Sequence, residues 1–152
     1  MREVTLRSVL LVDDDEASNF ISKIFISKLQ MGIDTHAVLN GKQALDFLDE
    51  LVLNGKSGFG PCLLLLDINM PIMNGWEFLD AYNERYPQAI KDHIVIVMIT
   101  VSQDQKDFIL ASNSPLIKEY VQKPLSDLKM MGLIEKYFLS PEQEDEEDED
   151  DY

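Results

Sequence analysis

The sequence predicts an α/β fold built on a doubly wound, mainly parallel sheet, and three observations carry that prediction. Short apolar runs alternate with helical patterns along the chain, as repeated βα units require. The runs are continuous rather than alternating, which suits strands covered on both faces. Four of them end in a reactive polar side chain: Val9 to Val12 before Asp13 and Asp14, Leu63 to Leu66 before Asp67, Ile94 to Ile99 before Thr100, and Tyr120 to Gln122 before Lys123. In parallel strands those residues open at one edge of the sheet, where open α/β folds bind their ligands.

Val9 to Val12 reads as a fully buried strand, followed by a helix over Glu16 to Leu29 with Phe20, Ile21, Ile24 and Lys28 on one face. Gly32 ends that helical region. Ile33 to Leu39 alternates less cleanly and is expected near a sheet edge. The next helix, Lys42 to Leu53, turns Ala44, Leu45, Leu48, Leu51 and Val52 inward. Asn54 to Pro61, NGKSGFGP, is a loop by composition. Leu63 to Leu66 has the character of a central strand. After Asp67, INMPIMNG is too rich in Pro, Asn and Gly for regular structure, with Met70 expected to pack beneath it. A helix from Trp76 to Tyr86 follows, closed by Pro87. Trp76 and Phe78 point in different directions on it and read as ordinary packing groups. Ile94 to Ile99 is the most β-like run. A weaker helix spans Asp104 to Ala111, ended by Asn113, Ser114 and Pro115, and Lys118 to Gln122 gives the fifth strand. Ser126 and Asp127 cap a last helix to about Phe138, expected to bury Leu128, Met131, Ile134 and Phe138.

At 152 residues and 45% hydrophobic, the chain suits one folded domain, assigned to residues 1–139, with no room for a second effector domain. Its 13 basic residues against 28 acidic ones, net −15, oppose binding to nucleic acid or anionic lipid. Nine of those acids, Glu142 and residues 144–151, crowd the last dozen positions. Such a run buries too little apolar surface to offset chain entropy, so 140–152 reads as a disordered acidic tail. Solubilising the chain is its plainest use; docking on a basic surface is the other. Cys62, the single cysteine, excludes an intramolecular disulfide framework and reads as a small core residue. No apolar run approaches the ~18 residues of a membrane span, and there is no apolar signal core near the first residue. A cytoplasmic location is the expectation.

Asp13, Asp14 and Asp15 repel one another unless a cation or solvent relieves them. Hard oxygen donors of this kind suit Mg²⁺, which binds through one or two carboxylates and keeps part of its hydration. The plain alternative is a solvated acidic turn with Asp15 or Ser18 capping the next helix. Asp67 shifts the balance, because a strand of four leucines has no structural use for a carboxylate at its exit, and such a group can attack phosphorus. The resulting aspartyl phosphate needs a cation opposite and a donor within reach. Lys123 and Thr100 supply them, each at the end of its own strand, and Pro124 holds Lys123 toward extended geometry.

With SVLLVDDDE, LLLLDINMPIMNGWEFL, VIVMIT and YVQKPL in sequence, the chain resembles the receiver domains of two-component response regulators over roughly Ser8 to Phe138. Its D-x-x-M-P-x-x-x-G segment, Asp67 to Gly75, is the most specific part of that likeness. The resemblance implies a flavodoxin-like sheet of five parallel strands in the order 2-1-3-4-5, flanked by five helices. It implies that Asp67 accepts a phosphoryl group from a histidine kinase or phosphotransfer protein. Asp13, Asp14, Asp67 and the backbone carbonyl of Asn69 would hold Mg²⁺, Lys123 would pair with the phosphoryl oxygens, and Thr100 would swing inward with Tyr120 following as the switch. The altered surface would bind a downstream protein target or a second copy of the chain. Val101 departs from the small residue usual after the threonine, and Asn69 and Ser102 stand at rate-setting positions of the family. Two other readings compete. One is a receiver-like scaffold that is never phosphorylated. The other is an aspartate-nucleophile phosphohydrolase, which needs a second acid two residues after the nucleophile, where this chain has Asn69. On balance the chain is expected not to be a turnover enzyme.

Overall fold

The computed structural model describes residues 3–53 and 60–141. Five strands, β1 (Ser8–Val12), β2 (Asp34–Val38), β3 (Cys62–Leu66), β4 (Ile94–Thr100) and β5 (Ile117–Gln122), form one sheet in the order β2-β1-β3-β4-β5 with every pairing parallel. The helices are α1 (Glu16–Lys28), α2 (Gly41–Leu53), α3 (Gly75–Arg85), α4 (Gln88–Lys91), α5 (Gln105–Asn113) and α6 (Asp127–Tyr137). The sequence-derived order and class match. Among the described residues there are six helices rather than five, because Pro87 both closes α3 and begins a further turn, α4. Its extended backbone before Gln88 suits the start of a helix.

Alternation along each strand divides the core in two. Leu10, Leu64, Ile96 and Met98 pack with Leu45 and Leu48 of α2 and Phe78 and Tyr82 of α3. Val9, Leu63, Leu65 and Val97 face the other way, against Ile26 of α1 and Leu133 and Ile134 of α6. β1 and β3 are buried throughout, as their continuous apolar runs require, while the edge strand β2 is half exposed. Cys62 lies in the first of these layers, and Met70 packs beneath its loop.

Three helical faces differ from the pattern-based reading. In α1 the buried residues are Asn19, Ser22 and Ile26, while Phe20, Ile21 and Ile24 are exposed. The outward stripe carries the apolar periodicity there because the inward face is given to polar side chains near Asp13. In α6, Met130, Leu133 and Ile134 are buried with Phe138, whereas Leu128 is 81% exposed and Met131 only half-buried. Ser126 caps the helix as expected, accepting from the Lys129 N–H at 3.1 Å, so the difference is one of face and not of boundary: the stripe of Met130, Leu133 and Ile134 turns to the sheet. Val52 ends α2 on its exposed side. The loop expectation for 54–59 and the tail expectation for 142–152 lie outside the described residues. Ser140 is described: it donates its N–H to the Glu3 carbonyl at 2.8 Å and accepts the Glu3 N–H on its hydroxyl at 2.9 Å.

Candidate functional site

Register alone brings the predicted residues together. Val12 stands opposite Leu66 in the β1–β3 pair, so Asp13 and Asp67 leave the sheet side by side. The ladder runs one residue further: the Asp67 N–H donates to Val12 at 2.9 Å and the Asp13 N–H to Val38 at 3.1 Å. Thr100 ends β4, and the Lys123 N–H donates to its carbonyl at 2.9 Å. Strand ends thus fix four backbones before any side chain is considered.

Within the acidic triplet the roles separate. Asp15 is the N-cap of α1, accepting from the N–H groups of Ala17 and Ser18 at 3.1 and 3.3 Å. Its bonds from the Ser18 hydroxyl and these amides hold its carboxyl below the ordinary range. Asp13 is buried; its Oδ1 accepts the Asp15 N–H at 2.9 Å, and its carbonyl accepts from Asn19 Nδ2 at 2.9 Å. Asp14 is exposed. One oxygen each from Asp13, Asp14 and Asp67 lies within 4.8 Å of the others. Asn69 is exposed in the loop after β3.

Lys123 reaches over this cluster, with Nζ 2.5 Å from Asp13 Oδ2 and 3.5 Å from Asp67 Oδ2. All three side chains are largely shielded from solvent. Burial opposes the Lys123 ammonium, but the Asp13 and Asp67 carboxylates outweigh it and raise its pKa. Burial, with the charge of Asp13 beside it, pushes the Asp67 carboxyl up to about 6 against the pull of Lys123. Three clustered carboxylates facing one ammonium form a hard-oxygen set short of positive charge, and a divalent cation such as Mg²⁺ fits it. Lys123→Met is therefore expected to destabilise the protein by about 2 kcal/mol at pH 7.5 in EDTA. Added Mg²⁺ should recover most of that loss in a urea titration, and equal midpoints with and without Lys123 would contradict this electrostatic account.

Thr100 is fully buried, with Oγ1 accepting the Ser102 N–H at 3.1 Å. Tyr120 is half-buried, donates its hydroxyl to the Ser102 carbonyl at 3.4 Å and stands edge-on to Phe108 at 5.6 Å. A cleft of about 320 Å³ opens beside the cluster, lined by Asp13, Asp67 and Lys123 together with the apolar Ile21, Val101 and Leu125. Val101 is 68% exposed at its mouth. Sequence reasoning missed Asn19, whose only signal was a polar residue on an inward helical position. It also missed Asp107, which accepts from Trp76 Nε1 at 3.2 Å and from the Ser102 hydroxyl at 2.8 Å.

Residues 9–135 match the family model described as the response regulator receiver domain. The chain belongs to that family. A two-component response regulator from Cytophaga hutchinsonii superposes with a TM-score of 0.75 at 31% identity, covering 87% of this chain and 96% of that one. Two-component response regulator 24 of Arabidopsis thaliana is 28% identical over 130 residues, 85% of this chain and 82% of the relative. The aerobic respiration control sensor protein ArcB of Escherichia coli K12 is 29% identical over 140 residues, 92% of this chain but only 16% of that protein's length. Among the described residues, no helix of this receiver domain is long and apolar enough to cross a membrane.

Proposed function

We propose that this receiver domain is a phosphorylation-controlled switch or relay carrier, with Asp67 as the acceptor and a phosphohistidine on a partner kinase or phosphotransfer protein as the donor. The observation that carries this reading is the shared pocket: Asp67 at a strand exit, Asp13 and Asp14 within 4.8 Å, and Lys123 between Asp13 and Asp67. In the transfer, an Asp67 carboxylate oxygen attacks phosphorus, the P–N bond breaks, and its electron pair leaves on the imidazole nitrogen. Asp13, Asp14, Asp67 and the Asn69 carbonyl would hold Mg²⁺, whose charge favours the approach of two anions. Lys123 holds a positive charge beside the new phosphoryl oxygens. Thr100, released from the Ser102 N–H, donates to one of them, and Tyr120 follows.

Each charge-assisted hydrogen bond is worth about 1.5–3 kcal/mol. A full shift from 1:99 to 99:1 needs ~5.5 kcal/mol, so a few such contacts move the surface around α5 and β5 substantially without having to saturate it. That surface is where a downstream protein is proposed to bind, in a cytoplasmic setting and without nucleic acid. Turnover of a free substrate is not part of this function, since the exposed Asn69 offers no acid two residues beyond Asp67. Incubation with phosphoramidate and Mg²⁺ is expected to add the mass of one phosphoryl group, removable by hydroxylamine as acyl phosphates are. Absence of any adduct at saturating donor would defeat the proposal.

A further inference from the structure

We propose that Asp107 is a positioning residue for Thr100, acting through Ser102 and anchored by the indole of Trp76. The inference rests on the phosphoacceptor reading and adds to it the group that holds the switch in its resting state. Asp107 occupies the third position of α5, three residues after the N-cap Asp104. A Glu or Gln there ordinarily reaches back to the N-cap amide in a capping box, a reach the shorter Asp107 does not make. Here the Asp104 N–H donates instead to the Ser102 hydroxyl at 3.2 Å, and Asp107 turns away from its own helix. One of its oxygens accepts from Trp76 Nε1 at 3.2 Å, 31 residues away on α3, and the other from the Ser102 hydroxyl at 2.8 Å.

Ser102 is thereby bonded at every polar atom. Its hydroxyl bridges Asp107 and Asp104, its carbonyl accepts from Gln122 Nε2 at 2.9 Å and from the Tyr120 hydroxyl, and its N–H donates to Thr100 Oγ1. The last bond fixes the Thr100 side chain where it is. For Thr100 to turn toward a phosphoryl group, that bond must break, and whatever steadies Ser102 raises the free energy of breaking it. The Trp76–Asp107–Ser102 chain ties this loop to α3, which starts at Gly75, eight residues after the acceptor. A receiver with this clasp is biased toward rest; one without it accepts a phosphoryl group, or its mimic, more readily.

Beryllofluoride with Mg²⁺ serves as the phosphoryl mimic, its affinity read by calorimetry on the full chain. Asp107→Ala is expected to bind about fivefold more tightly than the wild type, the equivalent of one lost hydrogen bond holding the resting state. Trp76→Phe, which keeps a ring but removes the N–H, should move affinity in the same direction. The double variant should bind no more tightly than Asp107→Ala alone, because both act through one chain of contacts. A purely structural role would lower the melting temperature of all three variants while leaving beryllofluoride affinity at the wild-type value, and that result overturns the proposal. Additive effects of the two substitutions would overturn it as well. Failure of the phosphoacceptor reading shows differently, since the wild type itself would then bind no beryllofluoride.

Discussion

Asp67→Asn is expected to take up no phosphate from any donor and, at the same time, to be more stable than the wild type in metal-free buffer at neutral pH. The first effect follows from the loss of the nucleophilic oxygen. The second follows from linkage. In the unfolded chain this carboxyl titrates near the ordinary 3.8, while in the folded protein burial and the charge of Asp13 raise it to about 6. The folded state therefore binds more protons between those values, and stability falls as pH rises through them. Below pH 4 the wild type carries no penalty; above about 6.5 it carries all of it. Partial access to water keeps that penalty to about 1–2 kcal/mol. Urea midpoints in EDTA should favour Asp67→Asn at pH 7.5 and converge with the wild type toward pH 4. Lys123 keeps its partner Asp13 in the variant, so the gain is not cancelled by a stranded ammonium. A variant less stable than the wild type at pH 7.5 would show that Lys123 favours charged Asp67 over the neutral form.

A carboxylate with no structural use in its own strand explains why the candidate site is legible in the sequence. Such a charge stands out against four leucines, and parallel register then fixes its neighbours: once Asp67 and Asp13 each follow the last residue of paired strands, their proximity is a consequence of β-geometry. The order of the strands comes from the likeness to receiver domains, and with that order in place the positions of Thr100 and Lys123 follow from the same geometry. Contacts without a period were not legible. The bond from Trp76 to Asp107 links two helices through a single pair of atoms and leaves no trace in hydrophobic spacing. The apolar stripe of Phe20, Ile21 and Ile24 faces outward, opposite to the expectation, because periodicity reports that a face exists and not which way it turns. Asn19, buried behind it together with Ser22, decides the matter by donating to the Asp13 carbonyl at the polar end of the sheet. In α6 the cap at Ser126 stands where the sequence places it, and the ambiguity is again one of face: Met130, Leu133 and Ile134 turn inward while Leu128 stays exposed.

Gly75→Ala is expected to damage stability and phosphorylation together, more than a methyl added to any other glycine among the described residues. Gly75 opens α3 immediately after Asn74, whose side chain accepts the Glu77 N–H at 2.8 Å while Glu77 reaches back to the Asn74 N–H at 2.9 Å. This capping box fixes where the helix begins, and the Gly75 N–H donates to the Ile68 carbonyl at 2.8 Å, drawing the start of the helix against the residue after Asp67. A Cβ on Gly75 would lie 2.4 Å from the Asp67 carbonyl oxygen and 3.1 Å from Ile68 Cα. Both obstacles are backbone, so relief requires moving Asp67 itself or prising α3 from the loop. Overpacking of this kind destabilises by about 3 kcal/mol. A displacement near 1 Å at the nucleophile lowers reactivity by about 10²-fold. Gly132, within α6, is the matched control: nothing lies within 4 Å of its added Cβ, so Gly132→Ala should raise stability by about 0.5–1 kcal/mol and leave phosphorylation unchanged. Thermal melts and phosphoramidate labelling of the pair separate a general effect of alanine from the specific closeness of Gly75 to Asp67. Wild-type labelling rates in Gly75→Ala would mean that the loop moves freely, and that Asp67 is placed by its strand alone.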